Sequence, residues 1–300
     1  MSARRLVRSA AFALVFGIGA TAWVAPAFVR AQDEQSRRVW DTEFRQKRQA
    51  ATKTPTSVPS PSPVYKRVSP NAAVAEKDSA EVLGITIWRL RPSSAVDAKD
   101  TRLLIAEDDT TATGEWTPVR VEADSTFSQG ERVRLSIESP RNGHLYVIDR
   151  EQYDDGTTSD PYLIFPTMRI RGGDSSVQAG KVVELPERSA FRLKPLRLGY
   201  RGELLTLLVS TAPLRDLTPG PSARRLDRGL VEQWERDWQT GSDRFEMIGG
   251  AGKVYTTGDK QAGVEGRLLT QEDELPQTLY RVSPRVDAPL LVSVLLRIAQ

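Results

Sequence analysis

Residues 130–166, GERVRLSIESPRNGHLYVIDREQYDDGTTSDPYLIFP, decide the fold. Val133, Leu135 and Ile137 alternate with Arg132, Arg134, Ser136 and Glu138. That period of two predicts a strand with one apolar face and one wet face. Ser139, Pro140, Arg141, Asn142 and Gly143 are turn-forming residues. Residues 144–148 are apolar on both faces, as in a strand inside a packed sheet. Residues 163–165 make a third strand, stopped by Pro166.

Working outward, residues 85–90, 103–106, 116–121, 181–185, 191–193 and 204–209 read as further short strands. Pro118 places residues 116–121 at a sheet edge, and residues 204–209 read as a central strand. Residues 290–298 alternate Val292, Val294, Leu296 and Ile298 on one face. This last strand is expected to pair inside the sheet with residues 85–90. Residues 227–240 carry Leu230, Val231, Trp234 and Trp238 at helical spacing, with Gly241 as a stop. The glycine-rich residues 249–266 read as irregular. The whole predicts a mainly β chain: a β-sandwich, immunoglobulin-like or jelly-roll, with one late amphipathic helix.

Ahead of that body the composition changes. Residues 1–31 combine Arg4, Arg5 and Arg8 with an apolar run over 10–24 and small residues flanking Arg30, which predicts a signal peptide cleaved after Ala31. The uncharged run over 9–29 is also long enough to anchor in a membrane if it stays uncleaved. Residues 32–79 read as a largely flexible stalk: a short helical stretch with Trp40 and Phe44, then a linker with Pro55, Pro59, Pro61, Pro63 and Pro70. The folded domain is expected over 80–300, in the periplasm or outside the cell.

The pI of about 9.1 invites a nucleic-acid partner. However, four arginines belong to the signal segment, and 38 basic residues then face 39 acidic ones. No global basic field remains to steer a polyanion. The absence of cysteine excludes disulfides, thiol catalysis and a cysteine-linked lipid. A single histidine excludes a histidine-rich metal site built by this chain alone.

The runs Gly130 to Leu135, Asn142 to Val147 and Leu163 to Pro166, followed by Ala179-Gly180, Leu185-Pro186 and the strand around Leu204, resemble the bacterial family called domain of unknown function 4384. The resemblance covers about residues 125–213. It implies a β-rich extracytoplasmic or modular domain, met alone or joined to kinase-like, protease-like or repeat segments. It implies no catalytic residue.

Candidate site residues follow from residue chemistry. His144 shares a strand face with Tyr146, and a Ser–His–Asp arrangement would need it as base; the chain has no G-x-S-x-G elbow. Tyr153, Asp154 and Asp155 sit in an acidic stretch after Ile148, with Asp149, Glu151 and Asp160. Its oxygens could ligate Ca²⁺, although the spacing is not that of a twelve-residue calcium loop, and Asp155-Gly156 suits a plain turn. Glu138, Asp149 and Glu151 could supply a glycosidase pair. Trp234 and Trp238 could grip a partner or pack the core. No cofactor is expected. These features favour an exported, non-enzymatic module that binds a protein or an envelope component. The alternative is an envelope hydrolase, acting on polysaccharide or peptide with carboxylates of the loop after Ile148.

Overall fold

The computed structural model describes residues 44–48, 63–69, 80–106, 113–215 and 217–300. The expected signal peptide and most of the stalk lie outside these residues. In chain order the strands are β1 (Tyr65–Ser69), β2 (Glu81–Pro92), β3 (Leu103–Ala106), β4 (Thr113–Val121), β5 (Thr126–Phe127), β6 (Arg132–Glu138), β7 (Gly143–Tyr153) and β8 (Tyr162–Phe165). There follow β9 (Ser176–Val177), β10 (Val182–Leu185), β11 (Phe191–Arg192), β12 (Tyr200–Ser210), β13 (Arg224–Arg225), helix α1 (Arg228–Trp238), β14 (Ser242–Met247), helix α2 (Thr257–Gly263), β15 (Thr278–Val282) and β16 (Leu290–Ile298).

The strands form two sheets, consistent with a β-sandwich. In the first, β2 is the spine: one edge takes β15 and then β4, and the other takes β6, which in turn holds β10 and β11. The second runs β13-β8-β7-β12-β16-β5. Alternation sets the register. Leu83, Ile85 and Ile87 of β2 and Val133, Leu135 and Ile137 of β6 meet Leu145 and Val147 of β7, Leu205, Leu207 and Val209 of β12, and Val292, Val294 and Leu296 of β16. Full burial of each such side chain contributes about 1.5–3 kcal/mol. A one-residue slip would turn a whole strand's set away from this core.

Several expectations change. β16 pairs with β12 and β5 in the second sheet, not with residues 85–90. Its alternation matches the inner face of either sheet, so the sequence could not choose. β4 is not an edge strand: β3 pairs only as far as Trp116, and beyond it the backbone at 252–255 covers β4, with Tyr255 N donating to Pro118 O (3.0 Å). A missing N–H at Pro118 is tolerated there. The glycine-rich stretch contains α2, started by a capping box in which Thr256 and Asp259 bond each other's backbone N–H. β7 continues through Asp149 and Glu151 to Tyr153, so those carboxylates lie on a strand and not in a loop.

Part of the stretch read as a stalk is built into the body. Tyr65–Ser69 pairs with β14, and Tyr65 donates a 2.5 Å hydrogen bond to Pro276 O. Phe44 is buried against Gly84 and Pro276; a Cβ at Gly84 would lie 2.8 Å from the Phe44 ring. Arg48 forks onto Glu138 at 2.9 and 2.6 Å. Phe44 and Arg48 ahead of the prolines, and Tyr65 among them, are the anchors.

The two outer faces differ. On the second sheet, Tyr146, Ile148, Leu208 and Leu291 pack beneath Leu217, Leu226 and the α1 residues Val231 and Trp234. On the first sheet, the face of β6 expected to be wet is buried, and Arg132, Arg134 and Glu138 are all under 9% exposed. Arg134 pairs with Glu184 at 2.8 Å, Arg132 lies 4.4 Å above the Trp116 ring, and Tyr255 donates to Glu184 at 2.7 Å. Helix α2 reaches this layer through Gly263, where a Cβ would come within 2.4 Å of the Glu184 side chain.

Candidate functional site

A concavity opens at the lateral seam, where β11 and residues 186–191 of the first sheet face β8 and residues 167–172 leading from the second. Its volume is about 590 Å³. Ile164, Ile170 and Phe191 form an apolar floor and are only partly buried against the main core. Arg169, Arg171 and Arg188 line the rim, with Glu187 as the one acid among the lining residues. Arg171 has φ of +51°, a left-handed backbone uncommon for a residue other than glycine, and its guanidinium donates to Ser176 O and Asp174. Arg169 and Arg188 are exposed and make no hydrogen bond or ion pair among the described residues. Among the described residues β11 pairs with β6 alone, so no described strand takes its other edge. An apolar floor, free guanidinium groups and an open strand edge together can hold an extended, acidic chain.

A second cluster lies between the sheets, at the far end of β7 and β12. Asp149, Glu151 and Glu203 share the inner face, and Glu151 sits directly opposite Glu203. Tyr200 donates to Glu203 at 2.6 Å and Tyr153 to Glu151 at 2.7 Å; Leu196 N donates to both Glu151 oxygens at 3.0 Å. Burial first, and then the Asp149 carboxylate beside it, raise the Glu203 carboxyl far above the ordinary range. Burial likewise raises Asp149, which hydrogen-bonds Glu203. Both shifts favour the protonated carboxyl at this buried pair. Chemically this is an acid–base pair, but it is walled by its own tyrosines and by the sheets. Glu138, named with Asp149 as a glycosidase pair, lies on the opposite face of the other sheet and is clamped by Arg48.

The residues singled out from sequence fall into three places. His144 begins β7, and its Nδ1 lies 2.9 Å from Ser175 Oγ. The neighbouring Asp174 is bonded to Ser176 and Arg171, so no acid orients the imidazole and no triad is completed. Tyr153 closes the other end of β7, nine residues and so about 30 Å of strand away, and Asp154 and Asp155 lie in the turn that follows. Asp155 accepts from Thr157 N and Oγ1 and pairs with Arg197, which stacks 3.7 Å from the Tyr153 ring. Asp160 pairs with Arg225 and Arg228, and Asp154 packs against Gly199. Asp155 and Asp160 are thus paired with arginines, and among the described residues no three acidic, histidine or cysteine side chains gather as metal ligands. Tyr146 accepts from Leu214 N under α1, where Trp234 and Trp238 stack at 5.4 Å.

Sequence reasoning missed the seam groove. Its local signals were Arg169 and Arg171 on either side of Ile170, which no motif sets apart. No protein-family model, curated protein or solved structure matches this chain.

Proposed function

We propose that this protein is an exported, non-enzymatic interaction module that takes an extended acidic segment of a partner protein into the seam groove. The observation that carries the reading is the pairing of an apolar floor with arginines that have no partner of their own. Desolvated guanidinium–carboxylate forks give such a site its preference for acidic chains, and the open edge of β11 gives it backbone hydrogen bonds. The resemblance of residues 125–213 to the domain of unknown function 4384 family agrees with a modular role and assigns no residue to it. Export rests on the segment 1–31.

Selection from a random peptide library tests this directly. The expected winners are rich in Asp and Glu with alternating apolar residues, and their binding is lost in the double variant Arg169→Glu/Arg188→Glu. Winners without a common charge, or binding indifferent to the charge reversal, would contradict it. A second reading, hydrolysis, is favoured by the neighbouring carboxyls of Asp149 and Glu203, both pushed up by burial. It requires turnover of a polysaccharide or peptide that disappears in Glu203→Gln.

A further inference from the structure

Beneath the cover of the first sheet lies a cavity of about 190 Å³, separate from the seam groove. That is room for at least about six water-sized groups. Thr86, Trp88 and Ser136 form its floor, and Arg48, Arg120 and Asp259 stand among its walls. Its mouth opens at the exposed Glu272 and Glu274.

Most charges around it are already engaged. Glu138 is held by Arg48, Asp273 by Arg267 and Glu274 by Lys253. Arg120 is different. It is 2% exposed, yet Nε has no hydrogen-bond partner. Nη1 donates to Leu275 O at 2.7 Å, while the carboxylates of Asp259 and Glu274 stay 3.7 and 3.8 Å away, beyond hydrogen-bond reach. A guanidinium buried with unmet donors is costly unless something else fills the gap. Asp259 Oδ2 is occupied by Thr256, which leaves Oδ1 facing Arg120. Thr86 Oγ1 accepts from Gln277 N at 3.1 Å, which leaves its hydroxyl proton for the cavity to use, whereas Ser136 Oγ accepts from Trp88 Nε1 at 2.7 Å and donates to Glu184 at 3.5 Å.

We propose that this cavity binds a small neutral polyhydroxylated molecule of monosaccharide class. Donors and carboxylate acceptors stand together around it, and a hydroxyl can both accept from Arg120 and donate to Asp259. An anion would be repelled by Asp259 and Glu274, and a cation by Arg120 and Arg48.

Trp88 provides the probe, because its indole N–H donates to a residue of the cavity floor. The full-length protein is titrated to about 10 mM, the range of weak affinity, with glucose, galactose, mannose and N-acetylglucosamine, and with galacturonate as a charged counterpart. At least one neutral sugar is expected to move the Trp88 indole cross-peak in a saturable manner. Arg120→Gln should weaken that sugar about tenfold, the loss of roughly one buried hydrogen bond. Thr86→Val, which keeps the volume, should also weaken it and stands in if Arg120→Gln does not fold. No shift with any neutral sugar in the wild-type protein overturns the proposal. So does a shift with galacturonate alone, or one that both variants leave unchanged.

Discussion

On the outer face of the second sheet, α1 lays Val231 and Trp234 on Tyr146, Ile148 and Leu208, a mainly apolar contact with one ion pair, Arg150 to Glu235. On the outer face of the first sheet, Arg48, Arg132 and Arg134 lie equally buried but are held by Glu138, the Trp116 ring and Glu184. Both covers exclude water. The ionic one leaves a cavity behind, because charged groups must keep their partners at fixed geometry and cannot close up as aliphatic chains do. The apolar cover is a support for the sheet; the arginine-bearing side is where binding chemistry remains.

The comparison breaks most sharply at Arg134. Arg134→Ala should cost about 3–5 kcal/mol in denaturant unfolding, because Glu184 is left buried without its ion-pair partner. The paired change Arg134→Met with Glu184→Leu should recover most of that loss. On the other face, Leu208→Ala should cost about 3 kcal/mol through lost burial and an unfilled cavity, with no dependence on pH. If the two faces respond alike to pH, the distinction fails.

Glu246 sharpens the same contrast through titration. Burial raises its carboxyl to about 7, against hydrogen bonds from Thr278 and Ala123 N. The folded state therefore keeps a proton that the unfolded chain releases in the ordinary carboxylate range. Its contribution to stability is complete below that range and disappears as pH climbs through about 7. Glu246→Gln should make the protein about 2 kcal/mol less sensitive to a rise from pH 5 to 8, read as unfolding midpoints in buffers across that span. An unchanged slope would place the proton elsewhere. The smallest stability effect is expected at the groove: Arg188→Glu should change stability by no more than about 0.5 kcal/mol, since the side chain is exposed and unpaired.

The sandwich was legible because Val133, Leu135, Ile137 and their counterparts follow a period that only a strand satisfies. What alternation could not convey was the fate of the opposite face. Arg132 and Arg134 look the same in sequence whether water or Glu184 solvates them, and Glu184 is fifty residues away from Arg134. The missed helix α2 had a local signal in Thr256 and Asp259, outweighed by the glycines around it. The groove needed two loops, at 167–172 and 186–191, to be brought face to face by strands of different sheets, and no local pattern encodes that. The candidate residues His144 and Tyr153 were drawn to one strand, whose length keeps them apart.

Fluorescence anisotropy of a library-selected acidic peptide, measured against the wild type, Arg188→Glu and Arg236→Glu, tests the central claim most directly. Arg236 is an exposed arginine on α1, so its reversal changes net charge equally on the apolar-covered side. The account predicts binding lost in Arg188→Glu and kept in Arg236→Glu. Equal loss in both, or loss only in Arg236→Glu, would contradict it.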